Sequence, residues 1–129
     1  MILCKFVCFI GWSLLLCSGC VRRVQHIKEQ MSNMGWTVSE DSFTDTTPLD
    51  DKTFVNVIAV HDPAVTRRLT LACHYDSKFF TDIEFIGATD SAVPCALMID
   101  IARVLNASLS KVPHTCLTFV IAWVWVVRI

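Results

Sequence analysis

Two short strings in the sequence combine side chains that can bind a metal ion or move a proton. The first is HYDS at residues 74–77, and the second is GATDS at residues 87–91. An ionised carboxylate such as that of Asp90 is a ligand that Zn²⁺ accepts, and a histidine can bind the ion or orient a ligand. From residue types alone, His74 could equally be a core histidine, Asp90 a helix cap, and Asp76 a residue that caps its own turn.

The segment before the first string indicates how it is positioned. Residues 69–74 (LTLACH) predict a strand that is apolar on both faces, which is typical of an interior position covered on both sides. His74 would be its last residue. Because ligand sites in open α/β sheets lie outside the carboxyl ends of the strands, we expect both strings to lie at that edge, with His74 and Asp76 projecting into the same crevice.

The second string leads into a predicted helix over residues 92–105. Ser91 is positioned as its N-cap, and Pro94 falls in its first turn. We expect the helix to bury one apolar stripe, formed by Val93, Leu97, Ile101, Val104 and Leu105.

The remaining body predicts one more helix and three more strands. An amphipathic helix ends at a Gly35 cap, because apolar residues recur at the helical period at Val24, Ile27, Met31 and Met34. Strands are predicted at residues 36–40, 53–60 and 116–122, with a polar loop over residues 42–51. This order predicts an α/β fold, a partial mixed sheet with flanking helices.

Composition and charge exclude several classes of protein. The 129 residues are 53% hydrophobic and 18% charged, so the chain is neither disordered nor of low complexity. The formal net charge of −1 gives no indication of the basic surface that nucleic-acid binding normally requires. We therefore expect one globular domain without a nucleic-acid partner.

Residues 1–20 are predicted to be a targeting segment. They carry one charge, at Lys5, before an apolar centre and end in small residues, as a secretory signal peptide does. The alternatives are an uncleaved signal-anchor, which would bring the chain to a membrane, and a buried helix. The expected location is the secretory pathway, either secreted or in the lumen of the Golgi or ER. Residues 123–129 form an apolar tail after the last predicted strand.

The cysteines and one sequon bear on the same compartment. Four of the seven cysteines lie in residues 1–20. In an oxidising compartment the other three, Cys73, Cys95 and Cys116, allow one disulfide and leave one free thiol. Asn106-Ala107-Ser108 is a sequon, so Asn106 is a candidate glycosylation site.

Two longer strings carry a family resemblance. LACHYDSKFF at residues 71–80, followed by FIGATDSAVPCALMIDIAR at residues 85–103, closely resembles the glutaminyl-peptide cyclotransferases, or glutaminyl cyclases. These enzymes belong to the zinc aminopeptidase-like (phosphorylase/hydrolase-like) group of α/β proteins. The resemblance implies that residues 21–122 are the N-terminal third of such a catalytic domain, with Zn²⁺ as its cofactor.

The resemblance also implies roles for individual residues. Asp90 matches the family's zinc ligand. His74 and Asp76 match residues at the edge of the metal site, and the histidine is a ligand in two-zinc aminopeptidases but orients the site in single-zinc cyclases. Cys73 and Cys95 match the pair that forms a disulfide in secreted members.

The family reaction implied by the resemblance converts an N-terminal glutaminyl residue of a peptide or protein to pyroglutamate and releases ammonia. After residue 121 the family continues with an Asp-Gly-Glu-Glu segment that supplies a general acid/base and a further zinc ligand. This chain reads AWVW at residues 122–125 instead. We therefore assign no catalytic residue and expect a truncated chain that is inactive alone. The alternatives are a zinc aminopeptidase and a non-catalytic truncated isoform that acts only by association.

Overall fold

The computed structural model describes residues 18–46, 51–76, 87–111 and 116–122. The helices are α1 (Ser18–Asn33) and α2 (Val93–Leu109), and a kinked turn, Ala88–Ala92, in which Asp90 and Ser91 have non-helical backbone angles, leads into α2. The strands are β1 (Thr37–Thr46), β2 (Asp51–Val60), β3 (Arg68–His74) and β4 (Cys116–Ala122).

The strands form one mixed sheet in the order β1-β2-β4-β3. β2 pairs antiparallel with both β1 and β4, whereas β3 and β4 are parallel. A parallel pair needs a crossover connection, and α2 lies between β3 and β4 in the chain. The α/β fold class, a mixed sheet with flanking helices, is confirmed.

The predicted amphipathic helix is present and begins earlier than predicted, at Ser18. It ends in a Schellman motif, in which the Gly35 amide donates to the Ser32 carbonyl and the Trp36 amide donates to the Met31 carbonyl. Gly35 has a φ of 82°, a left-handed conformation that glycine adopts without steric cost. The predicted cap is therefore confirmed, and the turn brings Trp36 back against the helix.

The core lies between the helices and the sheet. Ile27 and Met31 of α1, Ile99 of α2 and Phe119 of β4 are all fully buried in one cluster. The Trp36 ring stacks on Phe119, with centroids 4.9 Å apart. Burying a side chain of this size stabilises a fold by about 1.5–3 kcal/mol, so these contacts hold the two helices on the sheet.

The polar loop predicted over residues 42–51 is wrong for the residues that are described. β1 continues to Thr46, and β2 begins at Asp51. Polar side chains meet across this hairpin: the Thr44 and Thr53 hydroxyls are 3.3 Å apart, and the Thr46 hydroxyl donates to Asp51 at 2.8 Å. Backbone pairing and cross-strand polar contacts hold this exposed strand, and the apolar pattern does not record them.

The interior position predicted for residues 69–74 is also wrong in this structure. β3 is the last strand of the sheet and pairs with β4 alone among the described strands. Leu69 is also 61% exposed, so the strand is not covered on both faces at this residue. An interior position requires a strand paired at the second edge of β3 and a layer packed on each face, and the pattern of one strand cannot show whether they are present.

α2 turns a different face to the sheet from the one predicted. The predicted stripe is largely exposed, and Val104, its most exposed member, is 73% exposed. The buried face carries Cys95, Ala96, Met98, Ile99 and Ala102. The small side chains of Cys95, Ala96 and Ala102 allow the helix to approach the sheet closely. Apolar residues recur at the helical period on both faces of this helix, so periodicity does not select the buried one.

The predicted targeting segment and apolar tail fall mainly on residues 1–17 and 123–129, which lie outside the described residues. In the described part, the helical stretch Ala88–Leu109 is long and apolar enough to cross a membrane by length and composition. Core helices of globular domains meet the same criterion, and one face of this stretch lies in the core.

Candidate metal centre

A disulfide joins the two elements that carry the candidate site. Cys73 of β3 is bonded to Cys95 of α2, with Cα atoms 5.6 Å apart. His74 directly follows the first cysteine, and Asp90 lies five residues before the second. The bond therefore fixes the end of the strand beside the start of the helix.

A glycine turn brings the chain into the helical segment. Gly87 has a φ of 57° and accepts a hydrogen bond at its carbonyl from the Ala92 amide at 3.2 Å. Ala92 is the N-cap of α2 and makes no side-chain capping bond, so the N-cap predicted at Ser91 is wrong. Ser91 is buried, whereas Asp90 projects toward solvent with 78% of its side chain exposed.

His74 lies between two carboxylates. Its Nε2 is 2.8 Å from Oδ1 of Asp90. Its Nδ1 is 3.2 Å from Oδ1 of Asp76 and 3.1 Å from the Asp76 backbone carbonyl. The Asp76 side chain is only 10% exposed, whereas that of Asp90 is 78% exposed. Asp76 therefore lies on the buried side of the imidazole and Asp90 on its solvent side. The structure thus brings together all three residues that the two strings predicted.

The position of the single N–H of a neutral imidazole decides what His74 does. A proton on Nδ1 is donated to Asp76 and leaves Nε2 a lone pair, as in a metal-binding histidine. A proton on Nε2 is donated to Asp90 and holds one carboxylate oxygen in place. Both ring nitrogens lie at hydrogen-bond distance from acceptor oxygens, so a neutral ring donates to one of the two carboxylates only, and binding an ion at Nε2 requires the proton on Nδ1, toward Asp76.

Tyr75 is a site-supporting residue that the sequence reasoning missed. It is buried, and its hydroxyl donates to the Val55 carbonyl of β2 at 2.6 Å. It is the chain's one tyrosine and lies between two site residues, where the alternating direction of an extended chain turns it away from them. That alternation is the signal that could have identified it as the anchor of the segment after β3.

The donor set suits zinc but is incomplete. Carboxylate and imidazole are both zinc ligands, and a catalytic zinc takes three protein ligands and keeps one open position. The described residues contain no group of three or more His, Cys, Asp or Glu side chains that could hold a metal ion. β4, at whose end the family places its Glu pair, carries no carboxylate over Cys116–Ala122.

Comparison with known proteins agrees with this description. Peptidase family M28 matches residues 56–123. The glutaminyl-peptide cyclotransferase-like protein of Mus musculus is 50% identical over 94 residues, and the glutaminyl-peptide cyclotransferase of Drosophila melanogaster is 40% identical over 98 residues. The alignments include 71% and 75% of this chain but 24% and 28% of the relatives. The chain thus spans about a quarter of the length of these curated relatives.

Solved structures confirm the fold. The glutaminyl cyclase of Macrostomum lignano superposes with a TM-score of 0.80 at 30% identity, over 97% of this chain and 40% of that one. A Zn-dependent exopeptidase from Parabacteroides distasonis superposes with a TM-score of 0.79 at 19% identity, over 92% of this chain and 43% of that one. The second likeness concerns the fold alone.

Proposed function

The chain belongs to peptidase family M28. We propose that it carries part of a glutaminyl-peptide cyclotransferase site, with Asp90 as a zinc ligand. The observation that carries this proposal is the 2.8 Å contact between the Asp90 carboxylate and His74 at the end of β3. The names of the relatives and the strings at residues 71–80 and 85–103 support it. The substrates would be peptides or proteins with an N-terminal glutamine.

Four residues of the site each have a role in this proposal. Asp90 offers an exposed carboxylate, and His74 fixes the direction of that carboxylate through one oxygen. Asp76 lies beside the other ring nitrogen, and Tyr75 anchors the segment after β3 to β2. A zinc ion bound at Asp90 would polarise the γ-carbonyl of the glutamine for attack by the α-amine.

The proton transfer in such a reaction needs a carboxylate that we do not assign. General acid–base catalysis contributes about 10²–10⁴-fold to a rate. The described residues hold no carboxylate on β4, and Asp76 and Asp90 are already used to orient and to bind. We therefore propose that this chain alone turns over no measurable substrate.

Zinc binding by variants of the full chain tests the proposal. A chelator-competition titration of wild type, Asp90→Asn and Asp100→Asn compares a proposed ligand with an exposed aspartate that pairs with Arg103 on the same helix. We expect Asp90→Asn to weaken binding by at least tenfold and Asp100→Asn to leave it unchanged. Equal affinities for all three chains would overturn the proposal, and two zinc ions per chain would favour the aminopeptidase alternative.

Secretion is a further part of the proposal. Residues 1–20 have the pattern of a signal peptide, and the Cys73–Cys95 disulfide fits an oxidising compartment. We propose a secreted or Golgi/ER-lumenal protein, at a membrane only with an uncleaved N-terminus. Brefeldin-sensitive appearance of the chain in the medium supports secretion, whereas a cytosolic chain with free thiols at Cys73 and Cys95 contradicts it.

A non-catalytic role by association is a second candidate. Leu69 at the edge of β3 and Leu97 and Val104 on the outer face of α2 are exposed apolar side chains. Exposed apolar surface of this kind favours association with another chain. Light scattering measures the mass of the assembly formed by wild type and by Leu97→Lys/Val104→Lys. Loss of a larger assembly in the variant supports association through this surface, and a monomer in both chains excludes self-association.

A further inference from the structure

The side chain of Asn106, in the sequon near the end of α2, bridges two elements of the fold. Its Oδ1 accepts a hydrogen bond from the Trp36 indole Nε1 at 2.8 Å. Its Nδ2 donates to the Met34 carbonyl at 3.0 Å. Met34 is at the C-cap of α1, where a carbonyl has no partner within its own helix. One amide therefore caps α1 and binds the indole that follows it.

The chemistry of the two contacts is specific to an amide. An indole N–H only donates and a backbone carbonyl only accepts, so the partner must accept at one atom and donate at the other. An aspartate at position 106 would accept from Trp36 but would set a carboxylate oxygen against the Met34 carbonyl. Because Trp36 is only 4% exposed, its N–H has little access to water as a substitute.

The same geometry does not present the sequon as a glycan acceptor. Asn106 lies inside α2, and Ser108 is two residues further along the same helix. Residues i and i+2 of a helix point in different directions, so the serine hydroxyl does not face the asparagine amide. The amide is part-buried and bonded through both of its polar atoms.

We propose that Asn106 is the bridge between α2 and the C-terminal end of α1, and that the tripeptide Asn106-Ala107-Ser108 is not glycosylated in the folded chain. The bridge fixes Trp36, which stacks on Phe119 of β4 and meets the His61 ring edge-to-face at 5.4 Å. Asn106 thus connects both helices to the centre of the sheet.

Three substitutions at the two sequon positions separate the bridge from the sequon. Ser108→Ala removes the sequon but keeps the Asn106 amide, whereas Asn106→Asp removes both the sequon and the donor. We expect Ser108→Ala to keep the wild-type Tm and Asn106→Asp to lower it by roughly 5 °C or more. We also expect slow hydrogen exchange at the Trp36 indole in wild type and Ser108→Ala, and fast exchange in Asn106→Ala. Equal Tm values for Asn106→Asp and Ser108→Ala would overturn the bridge.

Expression of the full chain in secretory cells tests the glycan directly. Asp51→Asn serves as the positive control, because it places an asparagine two residues before Thr53 at the exposed start of β2. We expect peptide-N-glycosidase F to shift the mass of Asp51→Asn but not of wild type. A shift in wild type that disappears in Ser108→Ala would overturn the proposal. If neither chain shifts, the Tm and exchange comparison decides it alone.

Discussion

Removing the disulfide between β3 and α2 is the perturbation with the best-defined magnitude. Cys73 and Cys95 are 22 residues apart in sequence. In the chain-entropy description, a bond closing a loop of this length removes about 11 cal/mol/K from the unfolded chain, or about 3 kcal/mol at 25 °C. Both residues are buried, so alanine, which leaves no polar atom behind, is the suitable replacement.

The assay is thermal unfolding of the full chain and of Cys73→Ala/Cys95→Ala, each with and without a reductant. For a chain of this size, a loss of about 3 kcal/mol lowers Tm by roughly 10 °C. Reductant should lower the wild-type Tm toward that of the variant and leave the Tm of the variant unchanged. The variant is therefore the control for any effect of the reductant that does not depend on this disulfide. A fall below roughly 3 °C, or an equal effect of reductant on both chains, would refute the reasoning.

Three further predictions concern the anchor, the helix faces and the surface. Tyr75→Phe removes a hydrogen bond to a part-buried carbonyl and should destabilise the chain by about 1–3 kcal/mol in urea unfolding; no change would refute the anchoring role. Ile99→Ala, on the buried face of α2, should lower the free energy of unfolding by about 2–5 kcal/mol, whereas Val104→Ala on its exposed face should change it by less than about 0.5 kcal/mol. A larger loss for Val104→Ala than for Ile99→Ala would show that the stripe predicted from the sequence is the buried face. Lys28→Met removes a half-exposed ion pair with Glu40 and should cost less than about 1 kcal/mol in low salt and still less at 1 M NaCl; a larger loss that salt does not reduce would contradict a surface pair.

The parts of the fold that local chemistry determines could be predicted from the sequence. The α1 period and its Gly35 cap need only neighbouring residues, so the helix is present and ends where the pattern placed its cap, although it begins earlier, at Ser18. β1 could not be bounded in this way, because its second half is held by pairing with β2 and its own side chains are exposed. Non-local pairing is absent from a one-strand pattern.

The orientation of α2 shows a second limit. The helix has an apolar face of large side chains and another that includes Cys95, Ala96 and Ala102, and periodicity alone favoured the larger one. The disulfide from Cys95 and the close approach to the sheet place the face with the smaller side chains in the core. A pairing implied by resemblance carried this information, whereas hydrophobic spacing did not.

The site itself was the most predictable part. The expectation that the two strings lie at one edge of the sheet required only the strand direction and the helix start, and the side chains of His74 and Asp90 lie 2.8 Å apart. The oxygens that face each nitrogen of His74, and the anchoring of Tyr75 on β2, depend on three-dimensional contacts that the strings do not contain.

Anomalous diffraction at the zinc edge, from crystals of the full chain grown with zinc, tests whether Asp90 is a zinc ligand. We predict a zinc peak at about 2.0–2.2 Å from a carboxylate oxygen of Asp90, with His74 either bonded to that carboxylate or binding the ion through Nε2. Zinc bound elsewhere, with Asp90 and His74 still in the contact seen here, would contradict it.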